Sequence, residues 1–128
     1  MFFTEILKEY EDFVSAKGAS DDSIKKAEDE LGLIFSEDYR DYLRECGIAS
    51  ADGHEFTGIT PSERLNVVSV TLSARNNMDD PPRNLYVVER LQIDGIIIWQ
   101  SSEGKIYKTV RRSTPEMIGN SMMDYLKG

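Results

Sequence analysis

The 128-residue chain has one cysteine, one histidine and one tryptophan, and these scarcities exclude much chemistry. A single cysteine, Cys46, forbids an intramolecular disulfide framework. Cys46 falls on the apolar stripe of an expected helix, where a free thiol behaves as a small core hydrophobe. With one histidine beside that one cysteine, the usual ligand set of a zinc site is missing. His54 lies in a polar loop next to Glu55 and reads as a surface side chain. No serine sits in a nucleophile-elbow sequence, and Gly53, Gly58 and Gly95 are isolated turn glycines rather than a phosphate-binding loop. No run approaches the ~20 apolar residues of a membrane helix. The opening "MFFTEILKEY" carries Glu5 and Glu9 without a basic n-region or a small-residue cleavage site, so a cytoplasmic location is expected.

An excess of positive charge is lacking too. The formal net charge is −8. Residues 1–63 hold sixteen acids and six bases, a net of −10, whereas residues 64–128 hold seven acids and nine bases, a net of +2. An acidic half repels phosphate backbones, and the adjacent pairs Lys25-Lys26 and Arg111-Arg112 are no nucleic-acid footprint. The same acidity attracts a basic macromolecule and speeds its association.

Apolar residues make up 40% of the chain and charged residues 30%, as in an ordinary globular domain, and a single domain over 1–128 is expected. Phe3, Ile6, Leu7, Tyr10, Phe13 and Val14 recur with helical spacing and predict a helix over 4–17, stopped by Gly18. Ser20 and Gly32 bracket a second helix carrying Ile24, Ala27 and Leu31. Ser36 and Gly47 bracket a third, with Tyr39, Tyr42, Leu43 and Cys46 inward. "IASADGHEF" reads as a loop, followed by a short strand over 56–59. "ERLNVVSVTLSARNN" suits either a strand or a helical face. "MDDPPRN" is a surface loop, with Asp79-Asp80 in a solvated turn.

Three strands, over 85–91, 96–100 and 105–110, are joined by compact turns into an antiparallel meander. Trp99 lies in an isoleucine-rich strand and suits the core or the wall of a groove. Thr114 and Pro115 suit the start of a last helix with Met117, Ile118, Met122, Tyr125 and Leu126 on one face. Helices and strands are segregated along the chain. That order indicates an α+β fold, with N-terminal helices packed on an antiparallel sheet and a C-terminal helix.

"IKKAEDELGLIFSEDYRDYLRECG" resembles the signature of the SUKH superfamily, which includes the fungal Smi/Knr cell-wall assembly regulators. The matching positions are Ala27-Glu28, Leu31-Gly32, Asp38-Tyr39, Leu43 and Gly47. Phe35-Ser36 stand where that signature has Leu-Pro, and Cys46 stands where it has Asn. "NVVSVTLSARNN" resembles the family's middle helix through Val67, Val68, Thr71 and Arg75, and "NLYVVERLQIDGIIIWQSSEGKIYKTV" is similar to its strand meander. The resemblance implies a non-catalytic protein without cofactor or metal. In bacteria it implies an immunity protein that binds and neutralises a toxin, often a nuclease. In fungi it implies a regulatory interaction module. A third reading, a small hydrolase using a carboxylate pair, rests on the abundance of acids alone.

The partner-binding residues expected on this basis are Asp21, Asp22, Glu37, Asp38, Asp41 and Glu45. Glu37, Asp41 and Glu45 follow one another at i,i+4 and share one exposed stripe, and Arg40 and Arg44 stand close enough to relieve part of the like-charge repulsion. The expected partner is a basic toxin domain, with neither nucleic acid nor membrane.

Overall fold

The computed structural model describes residues 3–128. Its elements run α1 (Phe3–Lys8), β1 (Val14–Ser15), α2 (Asp21–Leu31), α3 (Glu37–Cys46), β2 (Ala49–Ala51), β3 (His54–Glu55), α4 (Val67–Asn76), β4 (Leu85–Arg90), β5 (Ile96–Ser101), β6 (Ile106–Val110), β7 (Glu116–Gly119) and α5 (Met122–Lys127). The fold is α+β, as the segregated order of elements indicated. Among the described residues no helix is long and apolar enough to cross a membrane.

Local chemistry sets the limits of α2 and α3. The Ser20 hydroxyl accepts from Ser23 N at 3.1 Å, satisfying one of the free donors of α2, and Asp21 and Asp22 favour its positive end. Gly32 adopts φ +70° and returns its N–H to Glu28 O, which ends that helix. Ser36 caps α3 through Tyr39 N at 3.3 Å. The ambiguous valine-rich segment is helical because Asn66 accepts from both Val68 N and Ser69 N and so nucleates α4.

The main sheet is the antiparallel meander β4-β5-β6-β7, with registers such as Val87↔Trp99 and Trp99↔Tyr107. Alternation along the strands gives it two faces. Tyr86, Val88, Ile98 and Ile106 point into a large core shared with α1, α2, α3 and α5. Leu85, Val87 and Trp99 pack under Val70 and Ala74 of α4. Trp99 is a core residue, fully buried, its Nε1 donating to Thr109 Oγ1 at 2.9 Å. The large core is aromatic, and each buried phenol has a partner. Tyr39 meets Thr57 Oγ1 at 2.9 Å, Tyr42 donates to Thr57 O at 2.9 Å, and Tyr86 donates to Gln100 Oε1 at 2.7 Å.

Three expected elements differ. The first helix ends at Lys8, not near residue 17, because Val14–Ser15 pairs with β2 and the Asp12 carboxylate takes the N–H groups of Asp52 and Gly53. The strand expected over 56–59 lies earlier, at β3, because Asp52 and Gly53 both take positive φ and close a tight β2–β3 hairpin. The last helix does not begin at Thr114. Residues Glu116–Gly119 instead pair with β6, and α5 starts after Ser121, whose hydroxyl accepts from Asp124 N at 3.1 Å. Met117 and Ile118 are therefore exposed on an edge strand rather than packed inside.

Glycine is needed at Gly18 and Gly58, where backbones meet. A Cβ on Gly18 would lie 1.8 Å from Arg44 O, and one on Gly58 would lie 1.9 Å from Gly47 O. These contacts clamp the segments flanking α2 and α4 against α3.

Candidate partner-binding surface

The expected acidic face is built by α2 and α3. Asp21, Asp22, Glu37 and Glu45 are exposed, and Asp41 is half-buried. Arg44 bridges the two helices, donating to Asp21 at 2.8 Å and to Asp41 at 3.0 Å. Its guanidinium is held above its ordinary pKa, first by the hydrogen bond it donates to Asp21. Lys8 of α1 reaches Glu45 at 3.1 Å. Arg40 does not relieve Glu37 as its spacing suggested. It turns inward to the buried Glu28, at 3.0 Å. Among the described residues Glu37 and Asp22 have no ion pair, so charge is partly compensated where the start of α2 meets the end of α3 and uncompensated at Glu37 and Asp22.

Asp38 belongs to a different kind of structure. Its half-buried carboxylate accepts from Ser36 Oγ, from Gln100 Nε2 at 3.2 Å and from Met122 N at 3.3 Å. It fastens α3 to β5 and to the start of α5, and its oxygens are engaged within the fold. Other positions behind the family resemblance are joints too. Glu28 takes Phe35 N at 2.8 Å, and Thr71 Oγ1 takes Val87 N at 3.0 Å. Arg75 donates to Leu31 O at 3.2 Å and to Arg83 O at 3.0 Å. The last turn of α2 contains no base, so Arg75 supplies from α4 the positive charge that a helix C-terminus favours.

Reactive groups are few. Cys46 is buried, and burial pushes its thiol up, away from the thiolate that nucleophilic chemistry needs. Asp79 and Asp80 are exposed in their loop, as a solvated turn requires. His54 is not the surface side chain it resembled in the sequence. It is half-buried, stacks on Phe56, and bonds through Nδ1 to Glu89 at 2.9 Å. Glu89 is 3% exposed and also accepts from Tyr125 OH and from Glu55 N, the latter at 3.1 Å. The hydrogen bond to Glu89 raises the His54 pKa, against the opposing effect of burial. Burial and then Glu89 raise that of Tyr125. Sequence reasoning missed this cluster because its members are 35 and 36 residues apart. The one available signal was an acid, Glu89, inside the apolar strand "LYVVERL".

A family model described as SMI1-KNR4 cell-wall, in the SUKH group, matches residues 3–127. The chain belongs to the SUKH superfamily. A crystal structure of a protein from Pseudomonas syringae pv. tomato superposes with a TM-score of 0.76 at 17% identity, covering 96% of this chain and 92% of that one. That likeness concerns the fold. No curated protein matches the sequence. Within this fold the resemblance positions Glu28, Asp38, Thr71 and Arg75 join one element to another through hydrogen bonds.

Proposed function

We propose that this SUKH protein is a non-catalytic immunity protein that neutralises a cognate toxin by docking an acidic surface over its basic catalytic or substrate-binding face. The observation that carries the reading is the exposed face of α2 and α3, where acids outnumber bases and Glu37 and Asp22 stand without ion pairs among the described residues. On that face Arg44 pairs with Asp21 and Asp41, and Lys8 with Glu45, in a lattice of exposed ion pairs that leaves the surface acidic overall. Long-range attraction sets the association rate, and desolvated groups at the centre of the contact supply affinity. Asp38 supports the face from beneath and is not itself a contact. On this reading the protein works in the cytoplasm, where it meets the toxin.

The test is co-expression with the protein encoded immediately upstream, scoring growth and co-purification. Rescue with a stoichiometric complex supports the proposal, and a toxic neighbour that is neither bound nor silenced contradicts it. A second reading, a regulatory interaction module, is favoured by the cell-wall description of the matching family. It predicts a stable complex with a cellular protein and no protection against any neighbouring toxin.

A further inference from the structure

His54 and Tyr125, backed by the buried Glu89, form one wall of an open cleft of about 600 Å³ between the β2–β3 hairpin, β7 and α5. Asp52, His54, Ile118, Asp124, Tyr125 and Lys127 line it. Glu89 is buried, and its donors are a phenol, a backbone N–H and the histidine. No lysine or arginine among the described residues pairs with it. A buried carboxylate without a fixed counter-ion is unusual, because buried charges are paired. Among the described residues the cationic partner open to Glu89 is titratable His54.

Glu89 also fixes the state of that histidine. Neutral His54 donates Nδ1–H to Glu89, an assignment made from the hydrogen-bond network, and this leaves Nε2 as an acceptor. Nε2 has no partner among the described residues and is not sealed from solvent. Exposed Asp52 lies close enough to raise the His54 pKa. The charged groups facing His54 are Glu89 from β4, Asp52 from the hairpin turn, and Asp124 and Lys127 from α5, with the Tyr125 phenol beside them. Glu55, its neighbour on β3, points to Arg64 at 3.0 Å instead. Three acids against one base favour a cation, and Ile118 and Tyr125 offer apolar and aromatic surface next to them.

We propose that this cleft receives an arginine side chain of the bound protein partner, with Asp52 and His54 Nε2 accepting from its guanidinium and Ile118 and Tyr125 flanking its stem. The inference rests on the reading of the chain as a protein-binding module, but places an anchor away from the α2–α3 face. Arginine fits better than lysine because its planar fork donates to two acceptors at once and stacks on an aromatic ring. Proton and guanidinium compete for His54, so each weakens the other's binding by the same factor. Arginine affinity rises as pH rises through the His54 titration.

Because His54 is the only histidine, its ring nitrogens are unique in a nitrogen-15 spectrum. The whole chain is titrated with pH in the presence of Nα-acetyl-arginine methylamide or its uncharged citrulline counterpart, at tens of millimolar. The arginine probe is expected to move the His54 titration to lower pH and to shift Tyr125 signals, while citrulline leaves both in place. An unmoved titration, or equal movement by both probes, overturns the proposal. Asp52→Asn keeps a residue that tolerates positive φ, and it should weaken probe binding several-fold; unchanged binding also overturns the proposal. Failure here is separable from failure of the immunity role. If the toxin is neutralised equally by Asp52→Asn and the probe does not bind, the cleft inference falls and the function stands. If the probe competes with the proton while no toxin is neutralised, the reverse holds.

Discussion

The α2–α3 face and the His54–Glu89–Tyr125 joint carry charge in opposite ways. On the face, Arg44 and Lys8 meet their acids in water, about half exposed, and each pair contributes little to stability, typically about 0–1 kcal/mol. In the joint, one carboxylate is buried and gathers donors from β3 and α5. Removing such a carboxylate strands its donors, whereas removing an exposed one returns its partner to water. The face is therefore free to serve recognition without endangering the fold. The joint is not.

The largest effect is expected from Glu89→Ala. It orphans the His54, Glu55 and Tyr125 donors and leaves a gap, and the expected loss is about 3 kcal/mol in urea unfolding. A loss as small as that of a surface pair would show the joint to be ornamental. Gly58→Ala tests the backbone clamp against the C-terminal end of α3, one of the two helices that build the face. A Cβ 1.9 Å from Gly47 O forces the chains apart, with an expected cost of about 1–3 kcal/mol by the same measurement.

The pH dependence sharpens the contrast further. The folded-state pKa of His54 is raised, by its bond to Glu89 first. Its stabilisation is thus fully present below the unfolded histidine value, about 6.5, and is lost as pH rises through the higher folded value. Denaturation midpoints of the wild type minus those of His54→Gln should fall across that window. A flat difference would mean that His54 gains nothing from being charged.

The smallest expected effect belongs to the face. Arg44→Ala should cost under about 1 kcal/mol although it breaks two ion pairs. A larger loss in urea unfolding would make the charge lattice part of the fold's support.

The same contrast explains what was legible in the sequence. Ser20 with Gly32, and Ser36 with Gly47, mark α2 and α3 correctly because capping is local chemistry. The three central strands were legible for the same reason, through their turns and β-branched runs. The ends of the chain were not. Helical spacing from Phe3 to Val14 persists in the sequence, yet pairing of Val14–Ser15 with β2 overrides it. Pro115 and Met117 look like a helix start, yet the open edge of β6 takes Glu116–Gly119 as a strand. Within the face, the i,i+4 stripe was readable, but not that Arg40 would leave Glu37 for the buried Glu28, nor that Asp38 would be tied to Gln100 and Met122. Those partnerships join distant residues, as does His54 with Glu89, and no local pattern encodes them.

The functional reading stands on the proposed docking of a toxin against the acidic face of α2 and α3. Its most direct test is the association rate of the purified toxin with the wild type and with the combined variant Glu37→Gln, Asp41→Asn, Glu45→Gln, measured across a range of salt. The variant is expected to fold with nearly unchanged stability, to associate more slowly at low salt, and to lose much of the salt dependence. Equal rates at every salt concentration, with neutralisation intact, would contradict it.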